Sequence, residues 1–121
     1  MFIQDIENQA KENINFRKVI YTGKNSQLVL MSIPKGGDIG EETHETIDQI
    51  LFFVDGEGEA ILNEEIKTFE EDDVVFVPAG TKHNIINKGD EDLKLFTVYS
   101  PPAHLENTIH KTKEEAEKAE Y

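Results

Sequence analysis

The chain has 121 residues, no cysteine, and 25 acidic against 12 basic residues, giving a net charge of −13. That length suits one domain and buries roughly two-thirds of the extended chain's surface, enough for a core without cross-links. The missing thiols exclude disulfides, thiolate metal sites and cysteine redox chemistry, and the acidic balance, with no Lys/Arg cluster to offset it, argues against nucleic-acid backbones and anionic membranes as partners.

Met1-Phe2-Ile3-Gln4-Asp5 has neither a basic start nor a long apolar run, so no secretory signal is expected and the cytoplasm is the expected location. Gln4 to Asn13 reads as a short helix or an arm. Runs rich in β-branched and aromatic residues follow, at Arg17–Tyr21, Gln27–Ile33, Gln49–Val54, Glu59–Leu62, Val74–Val77, His83–Ile86 and Leu93–Tyr99, each closed by Gly, Pro, Asn or Asp. Short strands at even spacing with this punctuation predict an all-β sandwich or barrel. Asp55-Gly56, after Leu51-Phe52-Phe53-Val54, reads as a hairpin turn. Phe52, Phe53, Phe76 and Phe96 are expected in the core or a dimer interface. Near the end, Thr112 and Glu115 have the spacing of a capping box, and the helix it opens is expected to run on through Ala116–Tyr121, with Glu114, Glu115, Glu117 and Glu120 on a solvated face.

Four histidines are candidates for chemistry: His44, His83, His104 and His110. Glu42 and His44 share a face if their segment is extended, and a carboxylate beside an imidazole makes half of a site for a borderline divalent metal. Gln49 has the opposite parity, so a turn or bulge at Thr46-Ile47-Asp48 is required to bring it inward. His83 lies three residues beyond Gly80 in Pro78-Ala79-Gly80-Thr81-Lys82-His83. Gly80 is expected to take a positive φ, Asn87 to tie down a hairpin end, and Asp48 to stand exposed or bond a turn amide. His104 and His110 are expected on the surface unless the segment after Pro101-Pro102 folds back over a barrel mouth. No Arg or Lys is evident in the presumed cavity, with Lys35 and Lys82 the nearest candidates.

Taken together these residues resemble the cupin superfamily. Gly36, Glu42, His44, Gln49 and Gly56 fit the spacing of its first motif, and Pro78, Gly80, His83 and Asn87 match its second without departure. The chain is similar to the small one-domain cupins often labelled mannose-6-phosphate isomerase-like. The resemblance implies a double-stranded β-helix (a jelly-roll β-barrel) over about 28–99, with an N-terminal arm over 1–26 and a tail with a short C-terminal helix over 100–121, all in one domain. It implies one divalent transition metal (Fe, Mn, Zn, Ni or Co) held at the positions of Glu42, His44, Gln49 and His83. Glu42 stands where an imidazole is usual and Gln49 where the carboxylate is usual, so the set keeps one negative charge in a changed place. The implied functions are a metal-dependent enzyme on a small polar metabolite, in an isomerase version with Glu42 as catalytic base or a dioxygenase version, or else a non-catalytic metal- or ligand-binding sensor. A homodimer is expected, with Val19-Ile20-Tyr21 or Phe2-Ile3 crossing to the partner.

Overall fold

The computed structural model describes residues 1–119. A short helix α1 (Ile6–Glu12) precedes strands β1 (Arg17–Thr22), β2 (Gln27–Ile33), β3 (Glu42–Thr43), β4 (Asp48–Asp55), β5 (Gly58–Leu62), β6 (Glu65–Phe69), β7 (Val74–Val77), β8 (Lys82–Asn87), β9 (Leu93–Ser100) and β10 (Ile109–His110), and helix α2 (Lys113–Lys118) closes the chain. The strands form two antiparallel sheets, one ordered β10-β1-β2-β9-β4-β7 and the other β3-β8-β5-β6.

The core lies between the sheets and follows from strand parity. In β9, Leu93, Leu95, Thr97 and Tyr99 are buried while the residues between them are only partly covered. Val29, Met31 and Ile33 of β2, Leu51 and Phe53 of β4, and Ile85 of β8 meet them from neighbouring strands. The Phe53 and Phe69 rings stack across the core at 3.7 Å. Burying each such side chain contributes roughly 1.5–3 kcal/mol. The four phenylalanines expected in the core or a dimer interface therefore have separate fates. Phe53 is core, Phe52 and Phe96 stack at 5.0 Å on the outer face beneath α1, and Phe76 stands 52% exposed on the edge strand β7.

The Gln4–Asn13 segment resolves as helix. The Asp5 carboxylate caps it by accepting from the Asn8 amide at 3.1 Å, and Ala10 packs on Leu30 and Val54. The hairpin expected at Asp55-Gly56 is not one. β4 and β5 lie in different sheets, so Asp55-Gly56 turns the corner between layers. The two-residue hairpin sits at Asn63-Glu64, between Leu62 and its partner Glu65, with Asn63 at φ 55°. β6 escaped the sequence pattern because four of its five residues are exposed and carry no alternation. Gly58 is needed for close approach, since a Cβ there would lie 2.0 Å from the Ile86 carbonyl oxygen. Asn87 anchors its hairpin end through donors to Ile33 and Glu91 carbonyls and an acceptor for the Gly89 amide.

The tail corrects a second expectation. His104 and His110 do not sit on the surface, because the segment after β9 folds back along the barrel. The Gln27 side chain latches it, its Oε1 accepting from the Ala103 and His104 amides and its Nε2 donating to the His104 carbonyl at 2.8 Å. His110 is buried, since β10 pairs with β1 and sets His110 opposite Arg17. His104 is half-buried, with its ring edge-on to Tyr99 at 5.1 Å. The capping box forms as expected, with Thr112 Oγ1 accepting from the Glu115 amide at 3.1 Å. α2 ends at Lys118, and the expected continuation at Glu120 and Tyr121 lies outside the described residues.

Two outcomes test this packing. Gly58→Ala drives a methyl into the β8 backbone, and its unfolding free energy in urea should fall by about 3 kcal/mol. The His104 imidazole is pushed down to about 3, first by burial and then by the charges of Arg17, His110 and His44. The unfolded chain, titrating at its ordinary 6.5, binds that proton first. Stability from His104 is thus intact above about pH 6.5 and lost as pH falls toward 3. The melting temperature of the wild type should drop more steeply between pH 7 and 4 than that of His104→Gln, and parallel curves would refute the assignment.

Candidate metal centre

Two separate stretches of sequence build the site, and backbone pairing joins them. β3 runs antiparallel to β8 with Glu42 directly opposite His83, so both side chains project to the same face. The chain then turns at Glu45-Thr46, which resolves the parity conflict between His44 and Gln49: β4 starts afresh at Asp48 with Gln49 pointing inward and 3% exposed. Two hydrogen bonds tie this turn to the Pro78-Ala79-Gly80 loop. The Gly80 amide donates to the His44 carbonyl at 2.8 Å, and the Ala79 amide donates to Asp48 Oδ1 at 2.9 Å. Asp48 thus bonds a turn amide, and Gly80 takes φ 83°.

Glu42, His44 and His83 converge, each offering one ligand atom with all three within 4.8 Å of one another. His44 Nε2 lies 3.6 Å from Glu42 Oε2, too far for a hydrogen bond, and it is buried without any other partner. Two cis ligands each about 2.1 Å from an ion stand roughly 3.0–3.4 Å apart, so this spacing is close to what a shared cation would set. His83 is oriented from behind, its Nδ1 lying 2.9 Å from the Thr81 carbonyl oxygen. A carbonyl only accepts, so Nδ1 carries a proton, which leaves Nε2 as the nitrogen available to a metal. Burial holds the His44 pKa below its ordinary value, against the pull of Glu42 and with help from His83 and Arg17, so its ring is neutral at pH 7.

Gln49 is the fourth residue expected at the site. Its Nε2 donates to Thr97 Oγ1 at 3.1 Å, while Oε1 is buried with no hydrogen-bond partner among the described residues. A buried orphan acceptor is costly unless something supplies its partner, so the amide oxygen suits a cation or a ligand donor. The donor set of one carboxylate, two imidazoles and an amide oxygen therefore fits a borderline divalent metal.

Sequence reasoning missed three further groups here. Tyr99 is 1% exposed and stands edge-on to His44 at 5.9 Å; burial pushes its phenol up to about 12, against the pull of Arg17 and the Gln49 amide. Arg17 is 6% exposed, and its Nη1 faces His110 Nδ1 at 3.4 Å. The parity of Arg17 with Val19 in β1 was the available signal, since a strand that buries Val19 carries Arg17 to the same side. Lys113, at the start of α2, joins the Asp38 carboxylate over the same end of the barrel. Lys82, by contrast, is exposed and paired with Glu41 at 3.8 Å, and Lys35 is exposed on its loop.

Comparison with known proteins agrees with this architecture. Residues 29–99 match the family model described as the cupin domain. The chain is 40% identical to the uncharacterized protein YrkC of Bacillus subtilis, over 98% of this chain and 67% of that protein. It is 35% identical to the uncharacterized protein L612 of Acanthamoeba polyphaga mimivirus, over 86% of this chain and 68% of that one. Among solved structures, BH2720 from Bacillus halodurans superposes with a TM-score of 0.97 at 38% identity, covering 98% of this chain and 94% of that chain. With both motifs on facing strands of a double-stranded β-helix, and with the family model spanning that barrel, this chain belongs to the cupin family.

Proposed function

We propose that this cupin binds one divalent transition metal (Fe, Mn, Zn, Ni or Co) through Glu42, His44, His83 and the Gln49 amide oxygen, and acts with it on a small polar metabolite in the cytoplasm. The observation that carries the reading is the convergence of Glu42, His44 and His83 within 4.8 Å, with the His83 tautomer already set by Thr81. One carboxylate and two neutral imidazoles leave a bound divalent ion with about one positive charge, which favours electron-rich oxygen ligands. When bound, the ion supplies Lewis-acid chemistry to the oxygens of a substrate.

The chain's own residues do the rest. His44 and His83 hold their lone pairs inward, Gln49 offers an unsatisfied oxygen, and Tyr99 with the latched tail limits water at the barrel mouth. In the isomerase reading, Glu42 takes a proton from the hydroxyl-bearing carbon of a hydroxy-carbonyl compound and returns it to the neighbouring carbonyl carbon, while the hydroxyl proton passes to the former carbonyl oxygen. That role needs a carboxylate not fully committed to the metal, and Glu42, with a third of its side chain exposed, is the group's only carboxylate.

Metal content by mass spectrometry tests the centre. Wild-type protein should carry about one ion per chain, and His44→Ala/His83→Ala should carry only traces after reloading. Gln49→Ala should lose roughly tenfold in metal affinity, because the amide is the weakest donor of the set. Glu42→Gln separates ligand from base: loss of the metal marks a ligand, and retained metal with lost sugar isomerisation marks the base. Retained metal with no turnover on sugars, and no oxygen uptake with diols or diketones, would leave a binding module and refute the enzyme reading.

The homodimer is also part of the proposal, with a changed interface. Val19 is in the core, and the Phe2 ring packs on Tyr21 of its own chain at 5.0 Å. α1 covers the Phe52-Phe96 face, whereas Val74 and Phe76 are exposed on the unpaired edge of β7. Light scattering after size exclusion should show a dimer that Phe76→Lys converts to monomer; a wild-type monomer would refute it.

A further inference from the structure

Arg17 is the only arginine in a chain that carries 25 acidic residues. It is 94% buried by the complement of its 6% exposure, yet no carboxylate of the described residues lies within ion-pair distance of it. Its Nε has no hydrogen-bond partner. The guanidinium lies over the Phe16 ring at 5.4 Å, and its Nη1 faces His110 Nδ1 at 3.4 Å. Neither contact neutralises it. A guanidinium only donates, so the facing His110 nitrogen is an acceptor, and burial with Arg17 itself keeps His110 below its ordinary pKa. A buried cation without a counter-charge is costly to hold, and an anionic ligand removes that cost.

The surroundings point the same way. Arg17 and Glu42 line one cavity of about 210 Å³, together with Ile39, Gly40, Lys113 and Ala116. The other acids on its wall already have cations, Glu41 with Lys82 at 3.8 Å and Glu117 with Lys113 at 3.9 Å. Lys113 also holds Asp38. Among the described residues Arg17 is thus the one cation at this mouth without a carboxylate in ion-pair distance, and Glu42 is the one carboxylate there without a cation. A divalent ion on Glu42 would add a second positive centre to the same cavity, and the pair would repel unless an anion lay between them.

We infer that Arg17 is a substrate-binding residue and that the ligand of this site is a small carboxylate, its carboxylate group on the guanidinium and a neighbouring oxygen facing Glu42, His44 and His83. The inference rests on the metal reading for the second contact only. Guanidinium and carboxylate match as planar, charge-assisted partners. A single arginine and a cavity below the ~300–1,000 Å³ of drug-sized pockets suit a few-atom carboxylate better than a sugar phosphate. The Tyr99 hydroxyl next to Arg17 is kept protonated by burial, so it adds no negative charge to offset the guanidinium.

One arginine gives one Nε–Hε cross-peak in a nitrogen-15 spectrum, which reports on the site in the wild-type chain. Acetate added to zinc-loaded protein should move that peak saturably, and acetamide, the neutral isostere, should leave it in place. By calorimetry, Arg17→Gln should weaken acetate binding roughly tenfold or more, with zinc stoichiometry unchanged. A peak that acetate does not move, or that acetamide moves equally, overturns the inference. So does inorganic phosphate acting at lower concentration than acetate. Failure of zinc to load sinks the metal reading alone; the apo-protein titration then decides Arg17, an acetate-specific saturable shift upholding the anion site and an unmoved peak ending it.

Discussion

The antiparallel pairing of β3 with β8 is the contact on which the site depends. It sets Glu42 opposite His83, and those two residues are 41 positions apart in the chain. β3 is only two residues long, so its ladder is too short to hold register unaided. The Gly80–His44 and Ala79–Asp48 hydrogen bonds extend the clamp on one side of it. On the other side the Gly40 amide donates to Asn84 Oδ1, and the Ile39 amide to the Ile85 carbonyl. With both flanks tied, a one-residue slip, which would turn Glu42 away from the imidazoles, is opposed by four additional bonds.

The barrel behind this clamp is apolar, and its polarity rises toward the mouth. Along β9 the inward residues run Leu93, Leu95, Thr97, Tyr99, and along β4 they run from Phe53 and Leu51 to Gln49. Thr97 bridges the two regimes, donating to the Ile50 carbonyl and accepting from Gln49. The polar groups at the mouth therefore stand on strands whose other ends are locked in a close-packed core. A site placed on such rigid elements needs little reordering to accept a ligand, which lowers the entropic cost of binding.

The tail makes the mouth more than an open rim. Gln27 holds the backbone at His104, β10 zips onto β1, and the capped α2 brings Lys113 to Asp38. These contacts bury His104 and His110 near Arg17 and Tyr99, so three ionisable side chains and a phenol share a poorly solvated space. Burial favours the neutral imidazoles there, and the guanidinium, which cannot give up its proton, remains as the fixed charge.

The strand pattern, the two motifs and the capping box were legible from residues alone, because each is a local matter of alternation, turn chemistry or short spacing. Glu42, His44 and His83 could be singled out on the same basis, as could the turn needed before Gln49. What lay beyond reach depended on partners distant in sequence. Asp55-Gly56 has the composition of a hairpin, but whether the next strand pairs with β4 or crosses to the other sheet is decided by the competition of β7 and β9 for β4's two edges. β6 could not be seen because an exposed edge strand has no apolar face to betray it. The two tail histidines looked like surface residues, since a polar side chain is usually solvated, and nothing local set Arg17 apart from the rest of its strand. By itself the sequence determined the fold class and the motif positions, because hydrophobic period and turn residues act over a few neighbours. Only the tertiary structure decided that the tail closes over the barrel and buries a lone guanidinium beside the site, because that burial comes from contacts between segments some ninety residues apart, such as Arg17 and His110.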